Sequence, residues 1–540
     1  MRLLTAILLG MLCVTSAHAA APKLDWLYPA GAGRDTTAAV TVSDTSAWPV
    51  QVWIDDEQGI TIEATKDKGK LSVKVAADAK PGVRWVRLYN GEGASPLRPF
   101  IIGVLPEVDE KEPNNDEPQA IREGVVVNGR LEKRNDIDVY RLPLKRGQTL
   151  IADMTANATL GSPMDGVIQL CDGDGFVLLQ NDDARGLDPR IVFTVPRDGD
   201  YLIRTFAFPA APNSSIAFAG DPAYVYRLMV TTGPFADHAL PMAVKRGESG
   251  EITVHGWNLP AEGLRVPVHA EGAAESIAVF HGQLRNVITL PVLDTLVTLA
   301  ANDASQGKPQ NVTLPAVISG RLESAGSASA FTFAAKKGQT IRMHVESQAI
   351  GFPLDPVVRV TDASGKQLAE SSDRRNDRDG KLEFKPAADG EVVVSLRDLH
   401  DRGGLRFVYR LVLRAADPDF AITLDKDTFI ATPGKAMDLA VKIDRRDGFD
   451  GDITLRVEGL PAKADVPAII SSAKGATAKT VTLKLALDEG PWSGPIRIIG
   501  EAEGTGGSGR RVATFAVPAT GASQSDVWLT VNKAAKPASN

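Results

Sequence analysis

A chain of 540 residues is too long for one hydrophobic core and, at about 100–150 residues per domain, should divide into four or five. Its 43% hydrophobic and 24% charged residues are ordinary for globular protein, while 49 Gly and 34 Pro point to many turns and few long helices, so the expected class is all-β. A formal net charge of −7 gives no electrostatic footprint for DNA or RNA and excludes a nucleic-acid partner.

The chain opens with Met1-Arg2, an apolar stretch from Leu3 to Val14 and the small-x-small signal Ala17-His18-Ala19. Residues 1–19 therefore read as a secretory signal peptide, and the mature protein is expected to be secreted, to the periplasm, the cell envelope or the medium. Cys13 lacks the small residue that precedes a lipid-modified cysteine. The longest apolar window after it, Val287 to Ala300, is interrupted by Asp294 and reads as strands, so no membrane span is expected. Only Cys171 remains after processing; it cannot form an intrachain disulfide and is expected to be buried and inert.

From 20 to 106, alternation such as Leu71-Ser72-Val73-Lys74-Val75 between Gly and Pro turns predicts an immunoglobulin-like β-sandwich. Trp26, Trp48, Trp53 and Trp85 lie here; exposed, they would make a sugar-stacking platform, but packing positions are the commoner use. Residues 107–122 follow with six acidic groups and with Pro113 and Pro118 interrupting pairing, a pattern that by default is a solvated linker. The stretch, however, brings Glu110-Lys111-Glu112-Pro113-Asn114-Asn115 into range of Asn135-Asp136-Ile137-Asp138 across a single strand and turn, and oxygen ligands gathered in this way suit a hard cation.

Closely spaced strand signals from 107 to 235 predict an antiparallel sandwich of jelly-roll kind. The pattern then returns at an offset of 191, with Gly129-Arg130-Leu131-Glu132 matched by Gly320-Arg321-Leu322-Glu323 and Lys145-Arg146-Gly147-Gln148-Thr149 by Lys336-Lys337-Gly338-Gln339-Thr340. Asp198-Gly199 is likewise matched by Asp389-Gly390, and Tyr226-Arg227-Leu228 by Tyr409-Arg410-Leu411. This internal duplication defines a second copy over 316–416. A smaller immunoglobulin-like domain, TIG-like in length, is expected at 236–315 and another sandwich at 417–520, followed by a terminal segment and disordered tail over 521–540.

The Glu-x-Glu-Pro-Asn lead-in at Glu110 to Asn114, the Gly-Arg-Leu and Gly147-Gln148 positions, Asp136-Ile137-Asp138-Val139-Tyr140, the Asp172 to Gly175 turn, Asn181-Asp182-Asp183 and Asp198-Gly199-Asp200-Tyr201 together resemble the bacterial pre-peptidase C-terminal (PPC) domain, a β-sandwich appended to secreted peptidases. The resemblance covers roughly 107–232 and, more weakly, 316–415. It implies Ca2+ in the first copy, held by Glu110, Glu112, Asn114, the Asn115 main chain, Asp136 and Asp138. Copy two, with an acid-free stretch from Ser305 to Pro315 and with Ser329 and Phe331 opposite Asp138 and Tyr140, is expected to bind none. Asp172, Asp174, Asp182 and Asp183 are expected to serve turns.

No Gly-x-Ser-x-Gly elbow, His-Glu-x-x-His or phosphate-binding loop is found, and the six mature histidines are scattered without ligand spacing. The expectation is a secreted, non-catalytic, multidomain binding or accessory protein whose partner is an extracellular protein or a polysaccharide. The alternative is a secreted peptidase, or a peptidase-associated scaffold, without a recognisable catalytic motif.

Overall fold

The computed structural model describes residues 20–211, 217–272, 274–301, 308–371, 379–461, 464, 466–488, 490–503 and 509–533. The expected signal peptide, tail and most of the Gly/Ser stretch at 504–509 lie outside them. The protein is all-β, and its strands pair into five successive two-sheet sandwiches, called domains one to five below.

Domain two holds two five-stranded sheets. One runs in the order Glu107–Asp109, Val125–Arg130, Val225–Thr231, Thr149–Thr155, Arg190–Thr194. The other runs Gln119–Ala120, Asp138–Leu144, Gly199–Pro209, Met164–Asp172, Val177–Asn181. Domain four repeats this order strand for strand, from Val297–Leu299 and Ala316–Arg321 in the first sheet to Gln310–Asn311 and Ala328–Ala335 in the second.

The repeated motifs are explained by packing and turn chemistry. A Cβ on Gly129 would stand 2.1 Å from the Tyr226 ring, and one on Gly320 2.2 Å from the Tyr409 hydroxyl, so glycine lets the paired tyrosine cross its strand. In Gly-Arg-Leu-Glu the leucine is buried, and the arginine reaches the glutamate two residues on. Gly147 and Gly338 take left-handed turns at φ +85° and +75°. The Asp-Gly partner closes each turn, with Arg146 and Lys337 main-chain N–H groups donating to Asp198 and Asp389 at 2.8 and 2.6 Å.

Two expected boundaries move. Val297–Leu299 and Gln310–Asn311 pair in parallel with strands of domain four, so that domain starts near 297 and domain three ends before it, not at 315. Val527–Val531, assigned to the terminal segment, is an inner strand of domain five between Thr428–Ala431 and Trp492–Glu501. Its five residues are all buried, which accounts for their apolarity.

The chain closes on itself. Trp528 of domain five meets Trp53 and Tyr89 of domain one at ring separations of 5.8 and 4.7 Å. Wholly buried Arg87 donates to Asp427 Oδ2 at 2.9 Å and to the Ser95 carbonyl. Trp85 packs against the domain-five core and Trp26 lies under the Arg130 guanidinium of domain two, so three of the four early tryptophans join domains. Trp48 donates within its own domain to the Thr65 carbonyl. Asp427→Asn should weaken the closure by about 1–3 kcal/mol, because it leaves the Arg87 charge buried without its anion. Hydrogen exchange should then quicken in Thr428–Ala431 and stay unchanged in domain three.

Candidate metal centre

The acidic run is a strap. Its first end, Glu107–Asp109, pairs in parallel with Val126–Asn128, and its far end, Gln119–Ala120, pairs in parallel with Tyr140–Arg141 of the opposite sheet. Residues between these ends therefore cross from one sheet to the other. Gln119 fastens the strap by accepting from the Lys111 N–H at 2.8 Å and donating to the Asp109 carbonyl at 3.1 Å. Gln310 repeats both bonds in domain four with Ala301 and Leu299, a clasp at the 191 offset that no sequence motif marks.

Ligand oxygens of Glu110, Glu112 and Asp138 lie within 4.8 Å of one another. Glu110 accepts from the Arg130 N–H at 2.7 Å and from the Tyr28 hydroxyl of domain one at 3.1 Å. Asp138 Oδ2 accepts from the Tyr226 hydroxyl at 2.5 Å, and Tyr226 in turn lies 2.5 Å from the Tyr140 hydroxyl. Asp136 holds its turn by accepting from the Glu132 N–H at 2.7 Å. Burial, then the Glu112 charge, pushes the Glu110 carboxyl up to about 8, although the Arg130 N–H and the Tyr28 hydroxyl oppose the rise. Burial, then the charges of Glu110, Asp136 and Glu112, hold Asp138 well above the carboxylate range.

Several polar atoms here are buried without a hydrogen bond: Asp136 Oδ1, Asp138 Oδ1 and both amide atoms of Asn114. Such orphaned polar atoms are costly in a native interior unless something meets them. The donor set is all oxygen and strongly anionic, which suits calcium and not a thiolate- or imidazole-seeking metal. Asn115, half-buried, follows Asn114 along the strap. In domain four the Ala300 N–H bonds the Ser319 carbonyl as the Glu110 N–H bonds that of Asn128, so alanine stands in the place of Glu110. Strand register likewise sets Ser329 and Phe331 in the places of Asp138 and Tyr140. Asp172 is used in a turn, where its Oδ1 accepts from the Asp174 and Phe176 N–H groups. Cys171 is buried, and burial pushes its thiol up.

A second charged cluster joins domains two, three and four, and no sequence pattern announced it. Asp237 is buried; its Oδ1 accepts from Arg190 Nη1 of domain two at 2.7 Å and its Oδ2 from Arg406 Nε of domain four at 3.2 Å. Beside it a cavity of about 590 Å³ opens between domains one to four, lined by apolar residues such as Met242 and Phe352 and by arginines already paired with carboxylates. His238 and His255, which looked isolated in sequence, stack at 5.4 Å. Burial, then the charges of His238 and Arg321, press the His255 imidazole down to about 4 from 6.5. Between these values the unfolded chain takes up a proton that the folded one refuses. Stability therefore falls as pH drops from 6.5 to 4. His255→Gln should reduce the difference between melting temperatures measured at neutral and acid pH.

No protein-family model matches the chain. A probable subtilase-type serine protease of Deinococcus radiodurans is 37% identical over 71 residues, 13% of this chain and 10% of that protein, so the chain spans about a tenth of the curated relative it matches. Among solved structures, the pre-peptidase C-terminal domain of collagenase from Bacillus anthracis is similar at 14% identity over 23% of this chain and all of that one, with a TM-score of 0.17. The fibronectin(III)-like modules of Clostridium thermocellum CbhA are similar at 10% identity over 37% of this chain and 87% of theirs, with a TM-score of 0.13. Among the described residues no helix is long and apolar enough to cross a membrane.

Proposed function

We propose that this is a secreted, non-catalytic binding or accessory protein in which Ca2+ fastens domain one to domain two, and that domains two and four are two copies of a PPC-like sandwich. The observation that carries the reading is the group Glu110, Glu112 and Asp138, with orphaned oxygens on Asp136 and Asp138 and the Tyr28 hydroxyl reaching it from the neighbouring domain. Glu110, Glu112, Asp136, Asp138 and Asn114 would hold the ion, which would supply the positive charge that four crowded carboxylates lack. Domain four keeps the same fold without these side chains, so their use is in the joint and not in making the sandwich.

The partner is an extracellular protein or a polysaccharide, and the stretch similar to a protease supports company with secreted peptidases. Equilibrium dialysis should find one calcium per chain, lost in Asp138→Asn. Pull-down of envelope polysaccharides and secreted proteins, with calcium and with chelator, should recover a partner in a calcium-dependent way. Casein hydrolysis abolished by a class-specific peptidase inhibitor would overturn the non-catalytic reading in favour of a secreted peptidase.

A further inference from the structure

We infer that the edge strand Val177–Asn181 of domain two docks an extended segment of a partner polypeptide, apolar at its centre and carrying a Lys or Arg at each end. The strand is last in its sheet, paired with Met164–Asp172 on one side only, so its outward N–H and C=O groups can take another strand. Phe176, just before the strand, and Val177, Leu178 and Leu179 on it are consecutive and are 72, 48, 42 and 39% exposed. No other two large apolar residues exposed to this degree are adjacent in sequence among the described residues. An apolar, unpaired edge invites association unless charge or a covering segment protects it.

The fold does not impose this composition. Domain four has the same edge strand, Gln367–Ser371, with the same register shift against its neighbour. There the corresponding residues are Lys366, Gln367, Leu368 and Ala369, and Glu370 is paired with Arg359. That copy carries the usual charged protection, and domain two has replaced it with exposed apolar side chains on both faces of the edge strand.

Charge selects the occupant. Exposed Asp174 precedes the strand and exposed Asp182 and Asp183 follow it, and no ion pair neutralises these three among the described residues; Arg197 reaches Asp172 alone, at 3.7 Å. A second copy of this chain, added antiparallel, would set acidic end against acidic end. A segment with basic ends instead gains at both, while its main chain completes the sheet and alternate side chains meet the apolar surface.

The test uses the full chain and a labelled peptide, acetyl-Lys-Val-Thr-Val-Thr-Val-Lys-amide, followed by fluorescence anisotropy beside the same peptide with Glu at both ends. The Lys-ended peptide should bind about tenfold more tightly or better at low salt. The triple variant Phe176→Gln, Val177→Gln, Leu179→Ala, which follows domain four but is neutral at 176, should lose at least about tenfold in affinity with an unchanged melting temperature. Asp174→Asn, Asp182→Asn, Asp183→Asn together should abolish the preference for Lys ends. Failure of the Lys-ended peptide to bind at millimolar concentration, equal binding by the apolar triple variant, or indifference to the end charges would each overturn the proposal. So would a wild-type dimer in sedimentation that the apolar variant dissolves, which would make a second copy the occupant, or binding to neutral phosphatidylcholine vesicles in place of peptide.

Discussion

Asp237→Ala is expected to cost about 3–5 kcal/mol and to loosen the junction of domains two, three and four. The carboxylate is 1% exposed and joins Arg190, 5% exposed, to Arg406. Burial alone would raise its pKa, but the His238 hydrogen bond and the Arg406 and Arg190 charges outweigh that and lower it, so the group is ionised where it is most costly to strand its partners. Removing it leaves a buried guanidinium and a partly buried one facing each other's charge. Arg190 keeps Asp153, to which its Nε donates at 2.7 Å, and Arg406 is 25% exposed, so the loss should sit toward the lower end of the range. Asp237→Asn, which preserves an acceptor, should cost roughly half as much. Both losses should persist in high salt, unlike that of the more exposed Arg246–Asp294 pair. Hydrogen exchange is the direct measurement: Phe235–Leu240 and Arg190–Thr194 should quicken together. Unchanged exchange in both strands would show that the junction is held by other contacts.

This junction marks the boundary of what the sequence makes legible. Motifs whose partners recur at a fixed offset declare the repeated fold, because Gly129 and Tyr226, or Arg146 and Asp198, are needed wherever that sandwich is built. The carboxylates of Glu110 and Asp138 are visible for a related reason, since acidic residues crowded around two turns have few structural uses. Contacts between domains leave no such trace. Asp237 has no neighbouring pattern that names Arg406, 169 positions away, and Trp528 pairs with Trp53 with no periodicity linking them. The Tyr28 hydroxyl was hidden in the same way, although it carries domain one into the site. The start of domain four leaves no such trace either, because Val297–Leu299 carries none of the acids that mark its counterpart, and the clasp residue Gln310 shares only its offset with Gln119.

Calcium added to chelated protein should stabilise domain two by about 1.4–2.7 kcal/mol when its concentration exceeds Kd by tenfold to a hundredfold. With the Kd of about 10⁻⁴–10⁻³ M usual for calcium sites of secreted modules, the gain should appear in the millimolar range. Asp138→Asn should abolish it and, in chelator, leave the protein at least as stable as wild type. Burial and the neighbouring acids disfavour a charge at Asp138, whereas asparagine removes that charge and keeps an acceptor for the Tyr226 hydroxyl. The pH dependence has a defined sign. Glu110 holds its proton in the folded, ion-free protein up to about 8 but loses it near 4.5 when unfolded. Stability of the chelated protein must therefore fall as pH rises through that window, and the calcium-dependent gain must grow over the same interval. Tyr28→Phe leaves every carboxylate in place but removes the donor from domain one, so calcium affinity should change little while exchange at the domain-one face of the joint quickens. An equal calcium gain in Asp138→Asn, or a wild-type melting profile indifferent to chelation, would remove the ion from this site. A Tyr28→Phe joint as protected as wild type would confine the ion's influence to domain two.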